Sequence, residues 1–178
     1  MTGTDRFTIG FYFQSLTRLL STPKGFFADL PETMGYRQSF TFLLVSALFF
    51  TGVSLTYFYE TSIVMVLILL VNALAMPFIG AGICFMIMKM TMNKTVGFEK
   101  LFALFAFASG VTMLLSWIPR LFWLTEPWRW MLICIGMVKA CGFRWMQAVF
   151  LMAVTMVILC LLFWSFAPVI LSFKRLVV

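Results

Sequence analysis

The sequence predicts an all-α fold of the polytopic integral membrane kind, a helical bundle with four clear spans and a shorter fifth candidate. Two observations carry that prediction. Four stretches, 38–59, 61–88, 101–119 and 145–173, hold no charged residue and run for 22, 28, 19 and 29 residues. Every Lys, Arg, Asp and Glu falls outside them. A helix needs roughly 20 apolar residues to cross the ~30 Å hydrocarbon layer, so each stretch is about one crossing long. The second observation is composition. The chain is 63% hydrophobic and 11% charged, whereas ordinary soluble domains are about 25% charged.

Residues 6–20 are too short to span, because Arg6 and Arg18 bracket 11 uncharged residues. At about 100° per residue, Ile9, Tyr12, Phe13, Leu16, Leu19 and Leu20 share a face roughly 120° wide, which predicts an N-terminal amphipathic interfacial helix. Two placements suit it: flat in the headgroup plane, or packed on the cytoplasmic ends of the bundle. Ser21-Thr22-Pro23-Lys24-Gly25 breaks this helix. Phe26-Phe27-Ala28-Asp29-Leu30-Pro31 then brings aromatic anchors and a second stop. Residues 1–37 are read as a cytoplasmic N-terminal segment and 38–178 as the transmembrane domain, the whole forming one bundle.

The first span is read at about 38–59, with Tyr57 and Tyr59 at its far interface. The second, about 62–88, follows Glu60 through a tight turn. Asn72 and Pro77 lie in its interior, followed by Gly80 and Gly82. Proline removes a backbone donor and kinks a helix; glycines let a neighbouring backbone come close. The third span, about 101–118, carries Ala106 and Gly110 four apart, a small-xxx-small face for helix contact. Between Arg120 and Lys139 only 130–138 is a charge-free apolar run. Thr125-Glu126-Pro127 reads as a helix start with Pro127 in its first turn. A helix over 127–140 rises only ~20 Å, so it crosses if Arg129 and Lys139 snorkel to opposite surfaces. Trp117, Trp123, Trp128 and Trp130 crowd this region as a candidate aromatic belt. The last span is about 146–169, with Pro168 marking its far end.

Five spans with a cytoplasmic amino terminus put nine basic residues inside and four outside, as the positive-inside rule requires. If 121–144 instead dips in and returns, the count is again nine to four. Charge therefore places the amino terminus and leaves four spans and five equally acceptable.

An amphipathic lead, then Thr22-Pro23-Lys24-Gly25-Phe26-Phe27-Ala28-Asp29-Leu30, then closely spaced spans, resembles the Yip family (Ypt/Rab-interacting-protein domain family) in its bacterial branch. Trp130 through Ile135-Gly136-Met137, Ala140-Cys141-Gly142 and Gln147-Ala148 are similar to that family's loop between its last two spans. The likeness runs from about residue 16 to 170. It implies five transmembrane helices, a cytoplasmic amino terminus and an external carboxyl terminus, here in a bacterial inner membrane. It also implies a membrane-interaction role; the small-GTPase binding and vesicle traffic of eukaryotic relatives do not transfer to this chain.

The residues available exclude several chemistries. The chain has no histidine, which removes His general bases and His metal ligands. The four clear spans contain no ionisable residue, the usual mark of intramembrane catalysis or ion transport. Asp5, Asp29, Glu32, Glu60, Glu99 and Glu126 all map to loops or helix ends. Cys84, Cys134, Cys141 and Cys160 form no CxxC pair and read as small hydrophobes, with Cys141 at a membrane boundary where palmitoylation is available. No catalytic residue, cofactor or metal is assigned. Nucleic acid is excluded as a partner because the positive charge is scattered, without a basic run.

The expected partners are the lipid bilayer and either a protein partner or a second copy of the chain. The docking candidates are Arg18, Lys24, Phe26, Phe27 and Leu30, which combine aromatic groups with charges that anionic headgroups attract. The candidates for a cavity or for helix packing are Asn72, Pro77, Gly80, Gly82, Ala106 and Gly110. Asn72 suits either a cavity wall or a helix–helix hydrogen bond. Ser46, Thr51, Ser54, Ser109, Thr112 and Ser116 are expected to bond their own helix backbones. The functional expectation is a non-enzymatic scaffold or accessory subunit; the alternative is a carrier or lipid-handling protein with a cavity beside the kinked second helix.

Overall fold

A computed structural model describes residues 9–30, 36–57, 63–92, 96–116, 118 and 121–177, with side chains as far as Trp164. The chain forms α1 (Ile9–Ser21), α2 (Pro23–Ala28), α3 (Tyr36–Ser54) ending in a 3-10 turn (Leu55–Tyr57), α4 (Ile63–Thr91), α5 (Phe98–Ser116), α6 (Phe122–Ala140) and α7 (Trp145–Val177). No strand occurs among the described residues. Among the described residues three helices are long and apolar enough to cross a membrane: α4, α5 and α7 over Trp145–Trp164. Helices α3 and α6 have 19 residues each, about 28 Å of rise, but carry more polar and charged side chains.

Helix α5 is the post around which the others stand. Every residue from Leu101 to Met113 is buried, as expected of a helix that is apolar all round and enclosed by neighbours. It packs against α3, α4 and α6 and touches α1, while α7 lies against α4 and α6. Its small residues explain the enclosure. Helices in lipid associate through close packing, because the surrounding tails are as apolar as the side chains. At Gly110 an added Cβ would sit 2.7 Å from the Phe42 ring and 3.1 Å from Ser46 Oγ of α3. Gly80 of α4 similarly lies against Phe105, 3.0 Å from where a Cβ would be.

Helix α4 buries one stripe, Ala73, Pro77, Gly80, Ala81, Cys84 and Met88, at the spacing of one helix face. Its other sides are exposed, including Ile63, Val64, Leu67, Ile68 and Val71. Helix α7 likewise buries Ala148, Leu151, Met152 and Thr155. Between α6 and α7, Gly142 takes φ +64°, a backbone conformation that glycine adopts without steric penalty.

Several boundaries differ from the sequence expectation. The short 127–140 segment is the larger, later part of a longer helix: α6 starts at Phe122, and Pro127 lies inside it. The turn that starts it uses backbone bonds, Leu124 N and Thr125 N to Leu121 O at 2.9 Å each. Pro127 removes one backbone donor from the helix, and its ring crowds the carbonyl four residues back. Helix α7 likewise continues through Pro168 to Val177, so that proline does not end it. Glu126 lies within α6 rather than at its end. Tyr59 and Glu60 lie outside the described residues.

Candidate functional site

The amino-terminal segment is seated in the bundle. Thr22 carries the chain from α1 into α2, where Pro23 occupies the first turn, a position that needs no backbone donor. Arg18 of α1 pairs with Asp29 at the end of α2 at 2.6 Å, both groups partly exposed. The same turn aims Phe26 and Phe27 inward, and Leu30 follows them into the core. Phe27 is fully buried against α6 and α5. A Cβ on Gly136 would meet Leu104 at 2.8 Å and Phe27 at 3.3 Å, so the absent side chain makes room for the ring. Phe26 stands edge-on to Phe27 at 5.4 Å and to Phe107 of α5 at 5.2 Å. Phe107 meets Phe42 of α3 at 4.8 Å, and Phe42 meets Tyr12 of α1 at 4.9 Å. These rings connect α2, α5, α3 and α1 in one chain of contacts. Tyr12 and Ser46 hydroxyls share a hydrogen bond of 3.0 Å.

This corrects the docking assignment. Phe26, Phe27 and Leu30 are core residues, and of that set only Arg18 and Lys24 are presented at the surface. The physical reason is local: with Pro23 at the start and Arg18–Asp29 across the turn, the inner face of α2 is the one that carries the two rings. The apolar face of α1 also divides. Tyr12 and Leu19, with Ser15, are buried, whereas Phe13 and Leu20 are exposed. Ser46 bonds Tyr12 across helices rather than its own backbone. Thr112 does follow the expectation, donating to Ala108 O at 3.0 Å, and Ser116 Oγ donates to Thr112 O at 2.7 Å while lying 3.1 Å from Thr125 Oγ1 of α6. Burial raises the Tyr12 phenol above its usual range, with the Ser46 hydrogen bond pulling the other way.

The candidates on the second span separate into two groups. Pro77 and Gly80 border a cavity of about 160 Å³ together with Phe105 and Ser109 of α5, Arg129 and Trp130 of α6, and residues of α7. Asn72 faces outward on the exposed side of α4. It is therefore not a wall of that cavity. Gly82 has open space around it, and Gly110 accommodates Phe42, while Ala106 is buried in α5.

The cavity also contains groups that the sequence suggested for other places, Arg129 for a membrane surface and Trp130 for an aromatic belt. Arg129 pairs with Glu126 three residues earlier at 2.5 Å, and it stands 5.6 Å from the Trp130 ring. The Trp130 indole nitrogen is buried without a hydrogen-bond partner. The Glu–x–x–Arg spacing is the signal that could have found the pair, since residues three apart meet on a helix. Starting the helix at Pro127 hides it. Trp123 alone of the described belt tryptophans is largely exposed; Trp128 and Trp130 are half-buried. A second recess, bordered by Lys24 and Lys139, lies where α6 gives way to α7.

The family model for the Yip1 domain matches residues 17–167. No curated protein and no solved structure matches the chain significantly. The match begins inside α1, ends within α7 and takes in the seated α2, the central α5 and both recesses; the chain is a membrane protein of the Yip family.

Proposed function

We propose that this protein is a non-enzymatic, five-span membrane protein that serves as a scaffold or accessory subunit of a membrane complex. In this reading α3 to α7 all cross, and the amino terminus lies in the cytoplasm of a bacterial cell, at the inner membrane. α1 and α2 enter the bundle from that side, and the carboxyl terminus is external. The length of α3 and α6 supports the five crossings, and the nine-to-four distribution of basic residues supports the cytoplasmic amino terminus. A reporter fused after Val178 tests it, with an external signal expected and a cytoplasmic one counting against it.

The observation that carries the scaffold reading is Asn72. It is the tenth residue of α4, inside the longest apolar helix with fully described side chains, and it is turned away from its own bundle. An amide facing hydrocarbon lacks hydrogen-bond partners. A second protein helix would supply them, whether from a partner or from another copy, and such bonds contribute roughly 0.6–2 kcal/mol in membranes. Association measured in liposomes by energy transfer between labelled chains should weaken about three- to thirtyfold on Asn72→Leu, with protomer unfolding unchanged. If the wild-type protein stays monomeric in the bilayer and gentle purification yields no stoichiometric partner, the scaffold reading fails.

A second reading, lipid handling, is favoured by the cavity at Pro77 and Gly80. Its walls are apolar, yet Arg129 lines it and so does Trp130, whose buried indole N–H has no hydrogen-bond partner. Ionisable groups at membrane depth mark functional sites by default. The matching ligand is an amphiphile whose head accepts hydrogen bonds. Extraction of purified protein should then yield a stoichiometric acidic lipid that Arg129→Met fails to retain; equal retention by the variant would exclude this reading.

A further inference from the structure

We propose that the recess between α2, α6 and α7 is a binding groove for one anionic phospholipid. Its two charged walls come from separate elements, Lys24 from α2 and Lys139 from α6, and its third edge is Trp145 at the start of α7. Between them Met131, Ile135 and Val138 line the floor. These three residues are spaced i, i+4 and i+7, so they form one stripe along α6. The stripe runs about 10 Å from Lys139 toward the bundle centre, most of the way through one leaflet of a ~30 Å hydrocarbon layer. The recess measures about 420 Å³, within the roughly 300–1,000 Å³ of ordinary ligand sites.

The charge arrangement selects the occupant. Neither lysine is paired with a carboxylate among the described residues, whereas Asp29 is held by Arg18 and Glu126 by Arg129. Two unneutralised ammonium groups over an apolar stripe suit a phosphate head with an acyl chain below it. Basic pockets between helices on the cytoplasmic side hold such headgroups, and Trp145 is an aromatic of the kind that anchors at the interface. The seat of α2 is what builds the groove. Phe27 against Gly136 places α2 on α6 and thereby brings Lys24 and Lys139 to the edges of one recess. This site is independent of the cavity at Pro77 and of the outward Asn72.

The full chain should be placed in nanodiscs of a neutral lipid doped with phosphatidylglycerol, and retained lipid read by native mass spectrometry. About one phosphatidylglycerol per protomer is expected to survive. Each of Lys24→Gln and Lys139→Gln should lower its retention about fivefold, and the double variant about thirtyfold, the attraction of a basic side chain for an anionic head. Lys89→Gln, at the end of α4 with its ammonium over the Phe85 ring, should change nothing. Thermal unfolding of each variant confirms that the bundle is intact; if the double variant fails to fold, the single Lys139→Gln decides. Equal retention by the lysine variants, or equal loss in Lys89→Gln, overturns the proposal. Glycerol phosphate competing as well as whole phosphatidylglycerol overturns it too, because the stripe would then bind no chain. Met131→Gln, an exposed position on the stripe, should weaken retention of the lipid but not of glycerol phosphate.

Discussion

Helices α4 and α5 are neighbours of opposite character. Helix α4 is the longer and more continuously apolar, yet it buries only the stripe from Ala73 to Met88. Helix α5 begins with Glu99 and Lys100 in its first turn and is rich in Ala, Gly, Ser and Thr, yet it is enclosed from Leu101 to Met113. In a soluble protein the more hydrophobic element would be expected at the centre. In a bilayer the lipid is as good a surrounding for Leu or Ile as another helix. What selects the central position is the closeness of approach, which small residues permit. Mild polarity is tolerated there because hydroxyls such as Thr112 and Ser116 find partners within the bundle.

The comparison breaks most clearly at large side chains. Phe107→Ala in α5 removes a fully buried ring that touches both Phe42 and Phe26. It should cost about 3–5 kcal/mol in denaturant unfolding in mixed micelles. Ile68→Ala on the exposed side of α4 should stay within about 0.5 kcal/mol. Comparable losses at both positions would mean that the outer face of α4 is packed after all.

Glycine substitutions sharpen the contrast at smaller scale. Gly110→Ala brings a Cβ within 2.7 Å of Phe42, and that ring is held between Tyr12 and Phe107. The expected loss is about 1–3 kcal/mol. Gly82→Ala in α4 meets nothing within 4 Å and should be neutral or gain up to about 1 kcal/mol from helix propensity. Melting temperatures moving in the same direction in the two variants would contradict this assignment.

Two still smaller effects test how α1 is attached to this core. Tyr12→Phe leaves Ser46 without its partner, a loss of about 0.5–1.5 kcal/mol. Because burial raises the Tyr12 phenol, the native state favours its neutral form. That contribution is fully present below the ordinary tyrosine value near 10, and it is lost as pH climbs from there through the raised one. The stability difference between the wild-type protein and the Tyr12→Phe variant should therefore be the same at pH 6 and pH 8 and shrink only in alkali. Arg18→Ala removes an exposed ion pair and should cost less than about 1 kcal/mol, an effect that added salt erases.

Much of the fold is legible from charge placement, because desolvating an ionised side chain is costly wherever it sits along a span. The helices at 63–91 and 98–116 follow directly from that rule. Pro77 and the close Gly80 are legible as special positions, and a cavity does lie beside them. Arg129 escapes the rule because charges read as boundaries, whereas here Glu126 neutralises the arginine inside α6. Phe26 and Phe27 escape it for a different reason. Aromatic residues near a basic segment suit an interface and a core equally, and only the notch at Gly136 distinguishes the two.

The sequence by itself determined that the chain is helical, that it belongs in a membrane, and that the stretches in α4, α5 and the first part of α7 are apolar enough to cross. These are properties of single segments, decided by hydrogen-bond satisfaction and desolvation in lipid. The tertiary structure alone decided which helix is central, which way Asn72 faces, that α2 is seated on α6, and that Lys24 and Lys139 border one recess. These depend on steric fit between surfaces of nearly equal hydrophobicity, and hydropathy cannot rank such surfaces once the solvent is itself apolar.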